Sequence, residues 1–259
     1  MERSRIGRAA AAAMMVAAAA AAQAQDAEGA RAASDWTVFG GLKVWSNRWV
    51  SWDVYATLDE TGAPSPTLAT LSSNRQNVLI PQLGLRYKDW LFSLSQMQRT
   101  DYVLTSPFAE DAPGSRDEQD ASVGYYLLPG LAATLGYKKV AQHFGTGYTW
   151  KGPIAGLNAT APLSPSMSVY ATLGYGSMSA HLGVPDDAGR SRLRAGYLLQ
   201  EAGLAWTFAE ARGPRAVTVT LGWRTQTVTT HGYAVGDAST KTDVRDITQG
   251  MTLGLVASF

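Results

Sequence analysis

His143, His181 and His231 are the three imidazoles of this 259-residue chain, which contains no cysteine. A histidine beside a carboxylate can act as a general base, and three histidines can hold a zinc ion with one position open. Asp101, Asp243 and Asp246 are the candidate carboxylates. No spacing motif joins these residues, and histidines scattered through loops are usually just solvated. Nor does the chain contain a P-loop, a dinucleotide fingerprint, a nucleophile elbow or a calcium loop. These residues lead to the expectation of no catalytic residue, no metal site and no cofactor.

A second set of ionisable residues is better organised. Lys43, Arg86, Arg99, Asp120, Lys138, Glu201, Arg224 and Asp246 each fall on the polar side of a segment whose other side is apolar. Charges withdrawn from water need partners, so a salt-bridged network is the expected arrangement. Five of the eight are basic, and any that stayed hydrated would favour anions. Gly41, Gly136, Gly174 and Gly222 lie on the same side. A layer of glycine clears space, either for a permeant or for long side chains reaching across. Phe39, Tyr126, Tyr170 and Tyr197 point the same way and would obstruct any bore.

The elements that place these residues are read from period-two alternation, which gives about ten strands. They run near Trp36 to Trp45, Asn77 to Lys88, from Trp90, Gln119 to Leu128, Gly130 to Val140, Thr149 to Ala161, Met167 to Ser177, Arg194 to Phe208, Ala216 to Gln226 and Met251 to Phe259. On the apolar side, Leu79, Leu83 and Leu85 align in one segment and Val217, Val219, Leu221 and Trp223 in another, with no charged residue among them. Pro81 and Pro153 fall inside strands, where a missing N–H is awkward. Short links at Lys88-Asp89, Leu128 to Gly130, Pro162 to Ser166 and Ala209 to Pro214 alternate with mostly longer ones. The longer ones are Ser46 to Gln76, Thr100 to Glu118, Ala141 to Tyr148, Met178 to Arg192 and Thr229 to Thr242. The three histidines fall in the longer links, where they could converge. Trp49, Trp52 and Tyr55 either form a recognition loop or extend the first strand.

Aromatic residues on the apolar side sort into two belts. Trp36, Tyr87, Trp90, Tyr125, Phe208 and Phe259 lie near the short links, and Tyr137, Tyr175 and Trp223 lie towards the long ones. Two belts are what the two interfaces of a bilayer select. The last segment alternates Met251, Leu253, Leu255, Ala257 and Phe259 with small or polar residues and stops on the aromatic carboxyl terminus. With these features the chain resembles bacterial outer-membrane β-barrel proteins. A soluble barrel with the apolar side inward would account for neither the belts nor the terminal Phe.

The amino terminus supports the same compartment. Arg3, Arg5 and Arg8 precede an apolar run from Ala9 to Ala22, and Ala22-Gln23-Ala24 offers a cleavage site. This pattern predicts a signal peptide over 1–24, a short periplasmic segment over 25–34 and a barrel over 35–259. The chain has 22 basic and 21 acidic residues. Removing three Arg and one Glu with the signal leaves 19 against 20, a net charge near −1 that gives no case for nucleic acid.

The expected fold is all-β, a closed antiparallel up-and-down transmembrane barrel of about ten strands. The resemblance implies placement in the bacterial outer membrane, contact with its lipid and lipopolysaccharide, and recognition of the last strand by the barrel-insertion machinery. The expected function is non-enzymatic. It is a narrow or partly plugged channel for a small solute or ion, or a structural or partner-binding barrel. The alternative is a hydrolase of peptide or lipid A at the rim, since outer-membrane proteases and lipid-A-modifying enzymes resemble this chain in placing a histidine there.

Overall fold

The computed structural model describes residues 35–58, 64–106, 109–144, 146–209, 216–235 and 241–259. The expected signal peptide and the 25–34 segment lie outside the described residues. Eleven strands follow one another: β1 (Trp36–Leu58), β2 (Pro64–Ser73), β3 (Gln76–Tyr87), β4 (Trp90–Ser106), β5 (Ala109–Leu128), β6 (Leu131–Phe144), β7 (Thr146–Ser164), β8 (Met167–Leu182), β9 (Arg192–Ala209), β10 (Ala216–Ala234) and β11 (Lys241–Ser258). Sequence neighbours pair antiparallel from β3 round to β11, and β11 pairs with β1 to close the ring. Closure leaves no strand with an edge free along its whole length. The fold is an all-β antiparallel barrel.

The ring has ten places rather than eleven. β3 pairs with β1 from Trp36 to Asn47 and β2 takes over from Val50 to Leu58, so the two share one place at different heights. Ser46 to Gln76, expected as a long loop, is therefore mostly strand, with Trp49 and Trp52 on the extended β1. Both chain ends of the barrel and the two-residue turns Lys88-Asp89 and Pro129-Gly130 lie at one end, called here the terminal end. Gly130 turns with a φ of 76°, a left-handed conformation that glycine adopts without strain.

At the opposite, far end the strands overrun every expected boundary. β4 continues to Ser106 and β5 begins at Ala109; β6 ends at Phe144 and β7 begins at Thr146. The longest far-end link among the described residues is 183–191, between β8 and β9. β1 has 23 residues, β5 20 and β8 16. A tilted strand needs about 9–11 residues to cross a bilayer, and these strands are longer than that.

Both prolines coincide with interruptions of the hydrogen-bonded ladder. The β3–β4 pairing stops at Gln82, next to Pro81, and resumes only where β2 meets β4 at Ser73. The β7–β8 pairing omits Gly152 and Pro153. A residue without an N–H is tolerated where no neighbour asks for one.

Over the terminal part of the wall, the apolar side of the strands points outward. Val38, Leu42, Leu83, Leu94, Leu135, Leu157, Val169, Leu221, Leu253 and Leu255 are all exposed there. Lys43, Lys138, Glu201 and Arg224 are buried inside. A soluble barrel would be built the other way round.

Candidate functional site: a lumen bridged from wall to wall

The interior of the barrel is filled in layers. At the terminal end Phe39, Leu91, Tyr126 and Ala132 pack together, with the Arg86 guanidinium 4.6 Å from the Tyr126 ring centre. Above them a cavity of about 170 Å³ is lined by Phe39, Lys43, Asp120, Asn158, Glu201 and Arg224 among others. Glycines make room for the aromatic rings. A Cβ at Gly84 would overlap Phe39, and one at Gly203 or Gly222 would meet the Tyr170 hydroxyl.

Next comes a band of ion pairs. Glu201 on β9 receives Lys43 Nζ from β1 at 2.9 Å and Arg224 from β10 at 3.1 Å. Lys138 on β6 holds Glu118 at 2.7 Å and Asp120 at 2.6 Å, both on β5. Arg116 binds Glu118 at 2.8 Å and donates to Gln142 at 3.2 Å and to Gln226 at 3.1 Å. Gln226 donates back to Glu118 at 3.0 Å. Gln142 and Trp49 both donate to Asp246, at 3.0 and 2.9 Å.

Two of these links span the bore. In a ring of ten places β5 and β10 stand opposite one another, and so do β6 and β11. The Arg116–Gln226 and Glu118–Gln226 bonds tie the first pair together, and Gln142–Asp246 ties the second. The band holds four cations (Lys43, Arg116, Lys138, Arg224) and four anions (Glu118, Asp120, Glu201, Asp246). The charge of this band therefore balances, and the basic excess inside the barrel reduces to Arg86, nearer the terminal end against Tyr126. Buried charges are tolerated because each has a partner.

Beyond the band the interior turns apolar. Val140, Trp150, Met178, Ala180, Leu182, Leu193, Ala195, Tyr197 and Val228 form one core, and Trp49, Leu71, Tyr102 and Leu104 form another. A space of about 20 Å³ remains near Gln142, Trp150 and Asp246.

Of the eight charges expected inside, Lys43, Arg86, Asp120, Lys138, Glu201, Arg224 and Asp246 face the interior. Arg99 does not. A β-bulge between Met97 and Thr100 reverses the facing of β4, so Arg99 stands on the outer wall, 3.8 Å from Asp101. Gly41, Gly136 and Gly174 approach backbone or apolar side chains of the next strand, and Gly222 seats Tyr170. The belt residues Trp36, Trp90, Tyr125, Tyr137, Tyr175, Phe208, Trp223 and Phe259 are exposed, and Tyr87 stacks on Trp36 with ring centres 4.2 Å apart. Trp36, Tyr87, Trp90 and Tyr125 are successive cross-strand neighbours, a continuous aromatic row on four strands.

The histidines do not converge. His143, His181 and His231 sit on β6, β8 and β10 and point outward from the wall, each between inward residues such as Ala180 and Leu182. His231 Nδ1 lies 2.8 Å from Asp243. Partial burial opposes ionisation of the Asp243 carboxyl, but hydrogen bonds from His231 and the Gly232 N–H hold it below its usual range. Asp101 is on the outer wall and Asp246 inside. Among the described residues no three His, Asp or Glu side chains gather to hold a metal.

Arg116, Glu118, Gln142 and Gln226 were missed as interior residues. The first three fell in stretches expected to be links or their edges, and Gln226 carries no charge to draw notice. The available signal was Arg116-Asp117-Glu118, an alternation of charges that continues the inward side of β5 two residues past Asp120.

No family model matches the chain, and no curated protein does. Among solved structures, the outer membrane protease OmpT from Escherichia coli aligns with a TM-score of 0.48 and 12% identity, over 86% of this chain and 97% of its own. The toluene transporter TodX of P. putida aligns with a TM-score of 0.31 and 12% identity, over 88% and 90%. A FadL homologue of Pseudomonas aeruginosa gives 0.32 and 8%, over 87% and 90%. Likeness at this level carries neither an activity nor a substrate to this chain.

Proposed function

We propose that this chain is an outer-membrane barrel that does not conduct, and that it acts as a structural or partner-binding protein through the part standing beyond the bilayer. The observation that carries this reading is the pair of polar bridges joining opposite walls, β5 to β10 and β6 to β11. A permeant would have to break charge-assisted bonds in a setting where an uncompensated charge costs several kcal/mol. Apolar packing beyond the bridges closes the same path again. The outward leucines and valines, flanked by exposed aromatic residues, support membrane insertion, and the signal-like amino terminus supports export. In this orientation the terminal end is periplasmic and the far end extracellular. The work is non-catalytic, and the three outward histidines on separate strands favour that over a rim hydrolase. Replacing each of them singly should leave any peptide or lipid A hydrolysis unchanged.

Planar-bilayer recording tests the proposal. The folded protein should be silent, as should the Arg224→Ala variant, which leaves both wall-to-wall bridges intact. A steady conductance in the unaltered protein would overturn the reading in favour of a narrow channel. That reading draws on the cavity of about 170 Å³ beside the band.

A further inference from the structure

Beyond the aromatic belt, the outer wall over β6 to β9 is strongly basic. At the outward positions past Tyr137, Pro153, Tyr175 and Leu198 stand Lys139, Lys151, His181, Arg192 and Arg194, with no acidic residue among those strand positions. The register sets them side by side. Lys139 is directly opposite Lys151, Lys151 is opposite Ser179, and Ser179 is opposite Arg194. One step further out, His181 is opposite Arg192. This row lies two residues past Tyr137, roughly 7 Å along the strand, which is headgroup depth for a wall whose next residues inward are apolar.

Two features make the row more than a solvated face. Like charges directly opposite on neighbouring strands destabilise a sheet, yet Lys139 and Lys151 are placed so. Among the described residues no ion pair forms at Lys139, Lys151, Arg192 or Arg194, although Arg190 pairs with Asp186 and Arg99 with Asp101 close to the same height. Elsewhere on the far wall basic residues are interspersed with acidic ones: the outward side of β4 and β5 carries Asp101, Asp111 and Asp117 beside Arg99. Partial burial, reinforced by the charges of Arg192 and Lys151, holds the His181 imidazole below its usual range. An open groove along Arg192, Leu193 and Arg194 reaches towards His231 and Gly232.

We infer that Lys139, Lys151, Arg192 and Arg194 form a binding site for the phosphorylated sugar headgroup of lipopolysaccharide in the outer leaflet. The inference rests on the outer-membrane orientation proposed above. Guanidinium groups clamp phosphate oxygens two at a time, while the paired lysines supply point charges whose mutual repulsion the phosphate relieves. Acyl chains would lie against Leu135, Tyr175 and Leu198 below.

The test uses the purified full-length barrel, folded in a neutral detergent and checked for heat-modifiable migration, with lipid A binding followed by native mass spectrometry. Bisphosphorylated lipid A should bind, and each charge removed should weaken it about fivefold, the equivalent of about 1 kcal/mol. Lys139→Gln with Lys151→Gln should therefore lose roughly 25-fold. Arg99→Gln, on the other side of the barrel, should bind as the parent does. Dephosphorylated lipid A binding equally well would overturn the assignment. So would phosphatidylglycerol or inorganic phosphate competing at equal concentration, or Arg99→Gln losing as much as the lysine pair. A barrel that folds and stays silent in bilayers yet ignores lipid A refutes this site alone. A barrel that conducts refutes the proposed function instead.

Discussion

The terminal and far parts of this barrel are built from the same strands but are turned inside out relative to each other. On β6, Leu135 and Tyr137 point outward, while three residues later Val140 is fully buried inside. β8 does the same between Tyr175 and Met178, β7 between Leu157 and Trp150, and β10 between Trp223 and Val228. Side chains must alternate along a strand, so the geometry does not change at these points; in the proposed orientation the solvent outside does. In that orientation, the terminal wall shows leucine to hydrocarbon and encloses charge. The far wall then shows Lys139, Lys151, Ser179 and His181 to water and encloses Trp150, Met178 and Leu182. The switch teaches that a strand's polarity pattern reports its surroundings height by height and does not define its length.

The most damaging way to disturb this division is to break the band at its boundary. Glu118→Gln leaves Arg116 and Lys138 short of a counter-charge and should cost about 3–5 kcal/mol in unfolding from lipid vesicles. Trp150→Ala probes the far core, where the indole packs against Val140 and Met178 and donates to Thr230 at 2.9 Å. A loss of about 3–5 kcal/mol is expected, seen as faster proteolysis of the far end with the membrane-inserted part still protected. Leu135→Arg puts a charge on the lipid-facing wall and should cost about 2–4 kcal/mol. Val103→Arg, outward at the far end of β4 beside Asp101, should cost less than about 0.5 kcal/mol. Equal penalties for those two arginines would erase the distinction between the parts.

A smaller effect is expected in the loop 183–191. Asp186 accepts hydrogen bonds from the Arg190 and Ala234 N–H groups and pairs with the Arg190 guanidinium, which also donates to Gly232 O. Burial alone would raise its carboxyl, but these donors hold it below the usual carboxylate range. The stabilisation is complete above the unfolded value near 3.9 and fades as pH falls through the lower folded one. Protection from hydrogen exchange at Ala188 and Arg190, relative to the intrinsic rate at each pH, should be high at pH 6 and fall below about pH 4, and Asp186→Asn should be poorly protected at both, a loss of about 1–3 kcal/mol. Exchange insensitive to pH would remove Asp186 as the anchor.

Most of the terminal part was legible in the sequence. There an exposed apolar side and an interior of ion pairs force strict alternation, and the terminal-end boundaries of the strands fell within a few residues. The far part was not, for a physical reason. At Tyr137-Lys138-Lys139-Val140 the apolar residue moves from the outward to the inward side, and period two breaks although the strand continues. Every far-end boundary was therefore placed too near the terminal end, and His143, His181 and His231 were assigned to links. Arg99 was misplaced by a bulge, which no periodic reading registers. Arg116 and Glu118 were lost with the truncated start of β5, and with them the bridging of the bore. The interior charges nearer the terminal end stayed readable because the lipid-facing residues beside them fixed the phase.

The account stands most directly on where water and lipid meet the wall of β8. The chain has no native cysteine, so a single introduced thiol reports one position. Val169→Cys, Tyr175→Cys, Ser179→Cys and His181→Cys, folded in vesicles, would be exposed to a membrane-impermeant maleimide and, once spin-quenchable labels are attached, to nitroxide lipid. The first two should resist the maleimide and be quenched by lipid, and the last two should react and escape quenching. Ready aqueous labelling at Val169→Cys and Tyr175→Cys, with lipid quenching at Met178→Cys, would contradict it.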